Sequence, residues 1–83
     1  MSLISFTIST PQESKTVQVE WIEVQSPSGT FFVGYDHAPL ASLVKHKSAV
    51  LYKQPGQAEP TAFTAQQGIF YITKNQAVLI VDQ

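Results

Sequence analysis

An all-β fold, a two-sheet sandwich or a small barrel, is predicted by three observations. Apolar residues recur with a period of two, turn signals return roughly every ten residues, and no convincing helical stretch appears. Residues 3–10 set the pattern: Ile4, Phe6 and Ile8 fall on one face, Ser5, Thr7 and Ser9 on the other. That is a half-buried strand. Pro11 and the polar run Gln12-Glu13-Ser14-Lys15 interrupt it. The next alternation, Val17, Val19, Trp21, then slips in phase, because Ile22 and Val24 carry the apolar positions onward with opposite parity. A bulge between Val19 and Ile22 would reconcile the two halves and bend the chain from one sheet toward another. Trp21 then points away from the main core. It is expected to lie partly exposed over an apolar patch used by a partner, since Trp is enriched at binding hot spots; the alternative is a core Trp at a sheet corner.

The turn Ser26-Pro27-Ser28-Gly29 has proline at a suitable second position and delivers the chain into the β-favouring run Thr30-Phe31-Phe32-Val33. Gly34-Tyr35-Asp36-His37-Ala38-Pro39 is a second break. Leu40, Leu43 and Val44 would fit a short helix, but the segment is brief and ends in Lys45-His46-Lys47-Ser48, so it is read as extended. Residues 49–53 form a strand, Gln54-Pro55-Gly56-Gln57 carries a type II turn signal, and residues 61–65 supply the hairpin partner. Gln66-Gln67-Gly68 breaks again before a strand over 69–72. Thr73-Lys74-Asn75-Gln76 turns into the last strand, 77–81. A single domain over residues 1–83 is expected, with no repeat or linker.

Composition narrows the function. With 43% hydrophobic and 13% charged residues, the 83-residue chain reads as one compact globular unit with a thin core. The low charge hints at a surface partly covered by partners. All five cations are lysines, so the arginine forks that read phosphates and base edges are missing, and nucleic acid is not an expected partner. No cysteine means no disulfide, thiolate metal site or thiol nucleophile. The longest apolar run, 77–81, is far short of the ~20 residues a spanning helix needs, and the N-terminus does not read as a signal peptide. A soluble protein is expected, reaching a membrane only through a partner, with no direct insertion.

Candidate chemistry is thin. Asp36 and His37 are neighbours on an extended chain, where side chains point to opposite faces, so no acid/base dyad is expected. Asp36 is expected to cap its turn through its own backbone. Two histidines and scattered carboxylates make no metal site, no cofactor loop is visible, and His46 among lysines is expected to be solvated. No catalytic, cofactor-binding or metal residues are assigned.

Two stretches stand out: Ser28-Gly29-Thr30-Phe31-Phe32-Val33 and Asp36-His37-Ala38-Pro39-Leu40. With Asn75-Gln76-Ala77-Val78-Leu79-Ile80-Val81-Asp82, they resemble the N-terminal sandwich domain of the F-type ATP synthase epsilon subunit. That family has a Gly turn, a Gly/Asn-His-Ala-Pro-Leu turn and an Asn-x-Val-x-Val-Leu-x-Asp ending in this order. The chain departs from the pattern at Val33-Gly34-Tyr35, where the family has Ile-Leu-Pro. It departs again at Lys45-His46-Lys47, in place of Lys-Pro-Gly, and at Gln66-Gln67-Gly68, in place of Ser-Gly-Gly.

The resemblance implies a flattened sandwich of about ten short strands in two packed sheets. It also implies a non-catalytic central-stalk role, fastening the gamma shaft to the c-ring so that proton transport is coupled to ATP synthesis. The expected place is peripheral to an energy-coupling membrane, on the cytoplasmic face of a bacterial inner membrane. The sequence ends where the family's C-terminal helical hairpin would begin, so the inhibitory role of that hairpin is not expected of this chain. Carried over by position, Thr10, His37 and Ser42 would face gamma, and Gly29, Thr30 and Phe31 would approach the c-ring; Thr30 stands where the family often has an acidic residue. A free-standing β-sandwich adaptor that binds another protein is the alternative, because fold does not fix function.

Overall fold

The computed structural model describes residues 2–82; Met1 and Gln83, the ends of the expected single domain, lie outside the described residues. Among the described residues there are nine strands: β1 (Ile4–Ser9), β2 (Ser14–Val19), β3 (Trp21–Ser26), β4 (Gly29–Val33), β5 (Leu40–Val44), β6 (Ser48–Lys53), β7 (Thr61–Ala65), β8 (Gln67–Thr73) and β9 (Gln76–Asp82). They form a five-stranded sheet, ordered β2-β1-β9-β8-β5, packed on a four-stranded sheet, ordered β4-β3-β6-β7. The all-β expectation holds, and the segment at 40–44 is a strand rather than a helix. Every pairing is antiparallel except that of β1 with β9.

The phase slip after Val19 marks a change of sheet rather than a bulge. Val19 pairs with Ile4 in the five-stranded sheet, whereas Trp21 pairs with Lys53 in the four-stranded one. Glu20 is the corner, and its N–H donates to the Lys53 carbonyl at 2.7 Å. The two inner faces look at each other from opposite sides, so a chain passing between them must reverse the parity of its buried residues. The same device recurs at Gln66. The expected break at 66–68 shrinks to that one residue, since Gln67 and Gly68 already belong to β8.

Between the sheets lie Ile4, Phe6, Ile8, Val19, Ile22, Val24, Val33, Val50, Phe70, Ile72 and Leu79, all essentially without solvent contact. Each such large side chain stabilises the fold by about 1.5–3 kcal/mol relative to an exposed one. Phe6 joins the layers: its ring meets Tyr52 of the facing sheet edge-on at 5.4 Å and Phe70 of its own sheet at 6.2 Å. Phe70 in turn meets Phe31 of the facing sheet at 6.1 Å. Offset and edge-on contacts suit the ring quadrupoles and add to the area term.

The turns follow from local residue types. Gly56 adopts φ 82°, and Gln57 N–H donates to the Gln54 carbonyl at 3.3 Å, as a type II turn with glycine third requires. Lys74 and Asn75 sit at φ 50° and 61°, the two left-handed residues of a tight hairpin between β8 and β9.

Candidate docking face

The outer face of the five-stranded sheet divides into two halves of different chemistry. On β1 and β2 the outward positions are Ser5, Thr7, Ser9, Ser14, Thr16 and Gln18: β1 alternates, and the register sets its outward residues opposite those of β2. The hydroxyls of Thr7 and Thr16, paired across the strands, are 2.8 Å apart, and Gln18 Nε2 donates to Ser5 Oγ at 3.4 Å. This half suits water. Across β9, β8 and β5 the middle outward positions are instead apolar, with the polar pairs Gln67–Asp82 and Thr73–Gln76 at the two ends of β8 and β9. Register aligns Leu43, Ile69 and Ile80 in one row and Ala41, Tyr71 and Val78 in the next.

Exposure in that second half is high: Leu43 62%, Ile69 49%, Ile80 47% and Tyr71 38%. Single exposed apolar residues are ordinary, but a contiguous group on one sheet face marks an interaction surface. At the end of the sandwich where β5 ends and β8 begins, the face opens into a groove of about 590 Å³. Leu43, Ile69, Ile80 and Asp82 line it, together with Pro27 and His46 from neighbouring turns. Gly68 lies within it. A Cβ there would come within 3.0 Å of the Ile80 carbonyl oxygen and of a Val81 methyl, so glycine lets β8 and β9 close together.

The four-stranded sheet carries a smaller apolar surface. Trp21 points outward, half-buried, and stacks on Phe32 at 4.8 Å with 27° between the rings. Phe32 is 54% exposed and lies across from Glu23, which lies across from Leu51. The expectation of a partly exposed Trp21 off the main core matches this placement.

The expected contact residues are spread over the molecule. Thr10 sits in the β1–β2 turn, where its N–H and hydroxyl both donate to the Glu13 carbonyl and its Oγ1 accepts from Glu13 N–H. His37 lies at the opposite end, in the loop between β4 and β5. Ser42 is on β5, the edge strand, and its hydroxyl donates to the Leu43 carbonyl at 2.9 Å. Its parity is that of the inward-facing Val44, so Ala41 and Leu43 are the residues β5 turns outward. Gly29 and Thr30 are exposed at the start of β4, at the same end as Thr10; Phe31 beside them packs inward on Phe70.

The loop before β5 differs from expectation in one respect. Asp36 does not cap its own turn: its Oδ1 accepts from Asn75 Nδ2 at 3.0 Å, and its N–H donates to Asn75 Oδ1 at 2.7 Å. Asn75 lies close enough to satisfy both groups, and a side-chain amide offers the matching donor and acceptor. His37 Nδ1 lies 2.7 Å from the Ala38 carbonyl oxygen. Among the described residues, no cluster of three or more His, Asp or Glu is gathered as a metal site would need. No helix there is long and apolar enough to cross a membrane.

Leu43, Ile69, Tyr71 and Ile80 were not among the expected contacts. Their signal was present: Ile69-Phe70-Tyr71-Ile72 and Val78-Leu79-Ile80-Val81 are apolar at both parities, where a strand with one wet face alternates.

Fold and surface together define a two-sheet β-sandwich with an exposed apolar half-face on its five-stranded sheet. No family model and no curated protein matches the sequence. Solved structures do match the fold. One is a chain from the mitochondrial ATP synthase of Tetrahymena thermophila, in a structure of its central stalk and c-ring, at TM-score 0.80 and 9% identity, covering 95% of this chain and 63% of that one. Another comes from the mitochondrial ATP synthase of Euglena gracilis, in a structure of OSCP, F1 and c-ring, at TM-score 0.87 and 13% identity, covering 98% and 51%. At these identities the likeness is one of fold, and the chain spans between half and two thirds of the length of the chains it matches.

Proposed function

We propose that this chain is a non-catalytic central-stalk subunit of a rotary ATP synthase, of the epsilon type, that fastens the gamma shaft to the c-ring. The observation that carries the reading is the apolar half-face of β9, β8 and β5, on a sandwich whose fold neighbours come from ATP synthase assemblies. A shaft subunit packing on Leu43, Ile69, Tyr71 and Ile80 would remove them from water, and each fully buried side chain of this size is worth roughly 1.5–3 kcal/mol before the costs of association. The work of such a subunit is mechanical: torque passes through a stiff interface, and no bond is made or broken on the subunit itself.

On this reading β5, with Ser42 on its edge, and the His37 loop leading into it border the gamma contact, and Thr10 lies at the sheet end beside the neighbouring strands. Gly29 and Thr30 form the tip that approaches the c-ring, with Phe31 as the packing residue behind them. Trp21 on the opposite sheet would be a separate partner contact. Placement is peripheral to the energy-coupling membrane, on the cytoplasmic side in a bacterium, through the complex alone.

The test is binding of the purified gamma subunit encoded by the same genome. A one-to-one complex that co-purifies through gel filtration is expected, and I69K/I80K is expected to dissolve it. If the wild-type protein fails to bind gamma, the stalk reading is overturned; the adaptor reading then requires a different protein on the same face.

A further inference from the structure

Each sheet ends in two strands bonded to a neighbour on one side: β2 and β5 in the five-stranded sheet, β4 and β7 in the four-stranded one. A free strand edge is a template for another strand, and folded proteins blunt it with charge, proline, a bulge or a covering segment. Three of the four edges are blunted here or offer little to pack. β2 carries Lys15. β5 leads into Lys45, whose N–H donates to the Gln25 carbonyl at 2.7 Å and joins that end to the facing sheet. β7 turns only the small side chains of Ala62 and Thr64 outward, by its register with β6. β4 differs. Gly29-Thr30-Phe31-Phe32-Val33 has neither charge nor proline, and its register with β3 runs without a bulge. Its outward ring, Phe32, is 54% exposed and stacks on Trp21 of the strand behind it.

We propose that the β4 edge pairs with the β4 edge of a second copy of this chain, the two strands running antiparallel about a two-fold axis beside Phe32. The edge is self-complementary, as an isologous contact requires. An antiparallel copy centred on Phe32 bonds to the outward backbone groups and sets the two Phe32 rings directly across from each other, with Cβ atoms about 4.5–5.5 Å apart. The Trp21–Phe32 stack of each copy then continues into one row of four rings. No charge opposes this. Glu23, opposite Phe32 on β3, stands one strand back from the axis. Two copies of Glu23 are therefore three strand spacings apart, ~14 Å, beyond the ~10 Å Debye length at 0.1 M salt. The uncovered parts of the two rings and the strand edge come to roughly 300–400 Å² per copy, less than the ~800 Å² a standard interface takes from each partner. Pairing is thus transient and depends on concentration. It goes beyond the stalk reading and does not rest on it, because the apolar half-face lies on the other sheet; in a stalk the tip at Gly29 and Thr30 would be occupied, so the pair is a state of the unassembled subunit.

The experiment is sedimentation equilibrium of the purified chain alone from about 10 μM to about 1 mM, with 15N amide shifts followed over the same range. Wild type is expected to be monomeric at the low end and at least about half dimeric at the high end, with no larger species, since a two-fold contact closes at two. Concentration-dependent shifts are expected at Thr30, Phe31, Phe32 and Trp21, with Thr16 on β2 and Ile69 and Ile80 on the apolar half-face unmoved. F32K is expected to stay monomeric at 1 mM: a lysine there faces Glu23 within the fold but meets a like charge across the axis. I69K/I80K is expected to dimerise as wild type does. The inference is overturned by a wild-type protein that is monomeric at 1 mM, by shifts centred on β2 or on Ile69 and Ile80, by a folded F32K protein that dimerises like wild type, or by a dimer that I69K/I80K dissolves. The wild-type shifts need no variant, so they decide the matter even where F32K fails to fold. Failure to bind gamma would leave the pairing standing, and absence of the pairing would leave the stalk reading standing.

Discussion

The two halves of one sheet face differ where their architecture is the same. β1 and β9 are adjacent and in parallel register, yet outside the core β1 presents Ser5, Thr7 and Ser9 while β9 presents Val78 and Ile80 between Gln76 and Asp82 at its ends. Both strands bury their inner residues equally well: Ile4, Phe6 and Ile8 on one, Ala77, Leu79 and Val81 on the other. Folding accounts for the inner face of both. It does not account for the outer face of β9, β8 and β5, where Leu43, Ile69, Tyr71 and Ile80 remain in water. A contiguous group of apolar side chains left this exposed points to a state of the protein in which they are covered.

That contrast can be broken at several depths. The largest effect should come from beneath the apolar half: F70A removes a ring that touches Phe6 and Phe31 and should cost about 3–5 kcal/mol of stability in urea unfolding, with or without a partner. I69K/I80K changes two neighbours of that ring on the outer face. It should leave unfolding of the free protein within about 1 kcal/mol and weaken gamma binding at least ~100-fold by calorimetry. A free protein destabilised as badly as by F70A would show that these residues serve the fold instead.

G68A probes the strand contact at the groove. The added methyl meets the Ile80 carbonyl oxygen and a Val81 side chain at 3.0 Å, and because one of them is backbone the sheet must spread; a loss of roughly 1–3 kcal/mol in thermal unfolding is expected. The smallest effect belongs to the polar half. T7V/T16V replaces both hydroxyls of an exposed pair, so it should change stability by no more than ~0.5–1 kcal/mol and leave gamma binding unaltered. Weakened binding in that variant would erase the distinction between the halves.

Most of the fold was legible in the sequence because period-two patterning and turn residues are local signals. Ile4-Ser5-Phe6-Thr7 announces its strand, and Pro55-Gly56 announces its turn. The corner at Glu20 was legible only as a parity slip, since a change of sheet and a bulge both shift the buried set by one residue. The docking face was harder to read. β5 is separated from the β8–β9 hairpin by two strands of the other sheet, and only the β5–β8–β9 register aligns Leu43 with Ile69 and Ile80. The Asp36–Asn75 clasp was hidden for the same reason: a turn residue ordinarily bonds its own backbone, and nothing local says that another turn comes within reach.

The most direct measurement is an NMR titration of the 15N-labelled protein with the gamma subunit of the same genome. Amide shifts confined to Leu43, Ile69, Tyr71 and Ile80 and their neighbours, with Thr7 and Thr16 unmoved, are the predicted result. Shifts centred on β1 and β2, or none at saturating gamma, would contradict the assignment of the apolar half as the shaft contact.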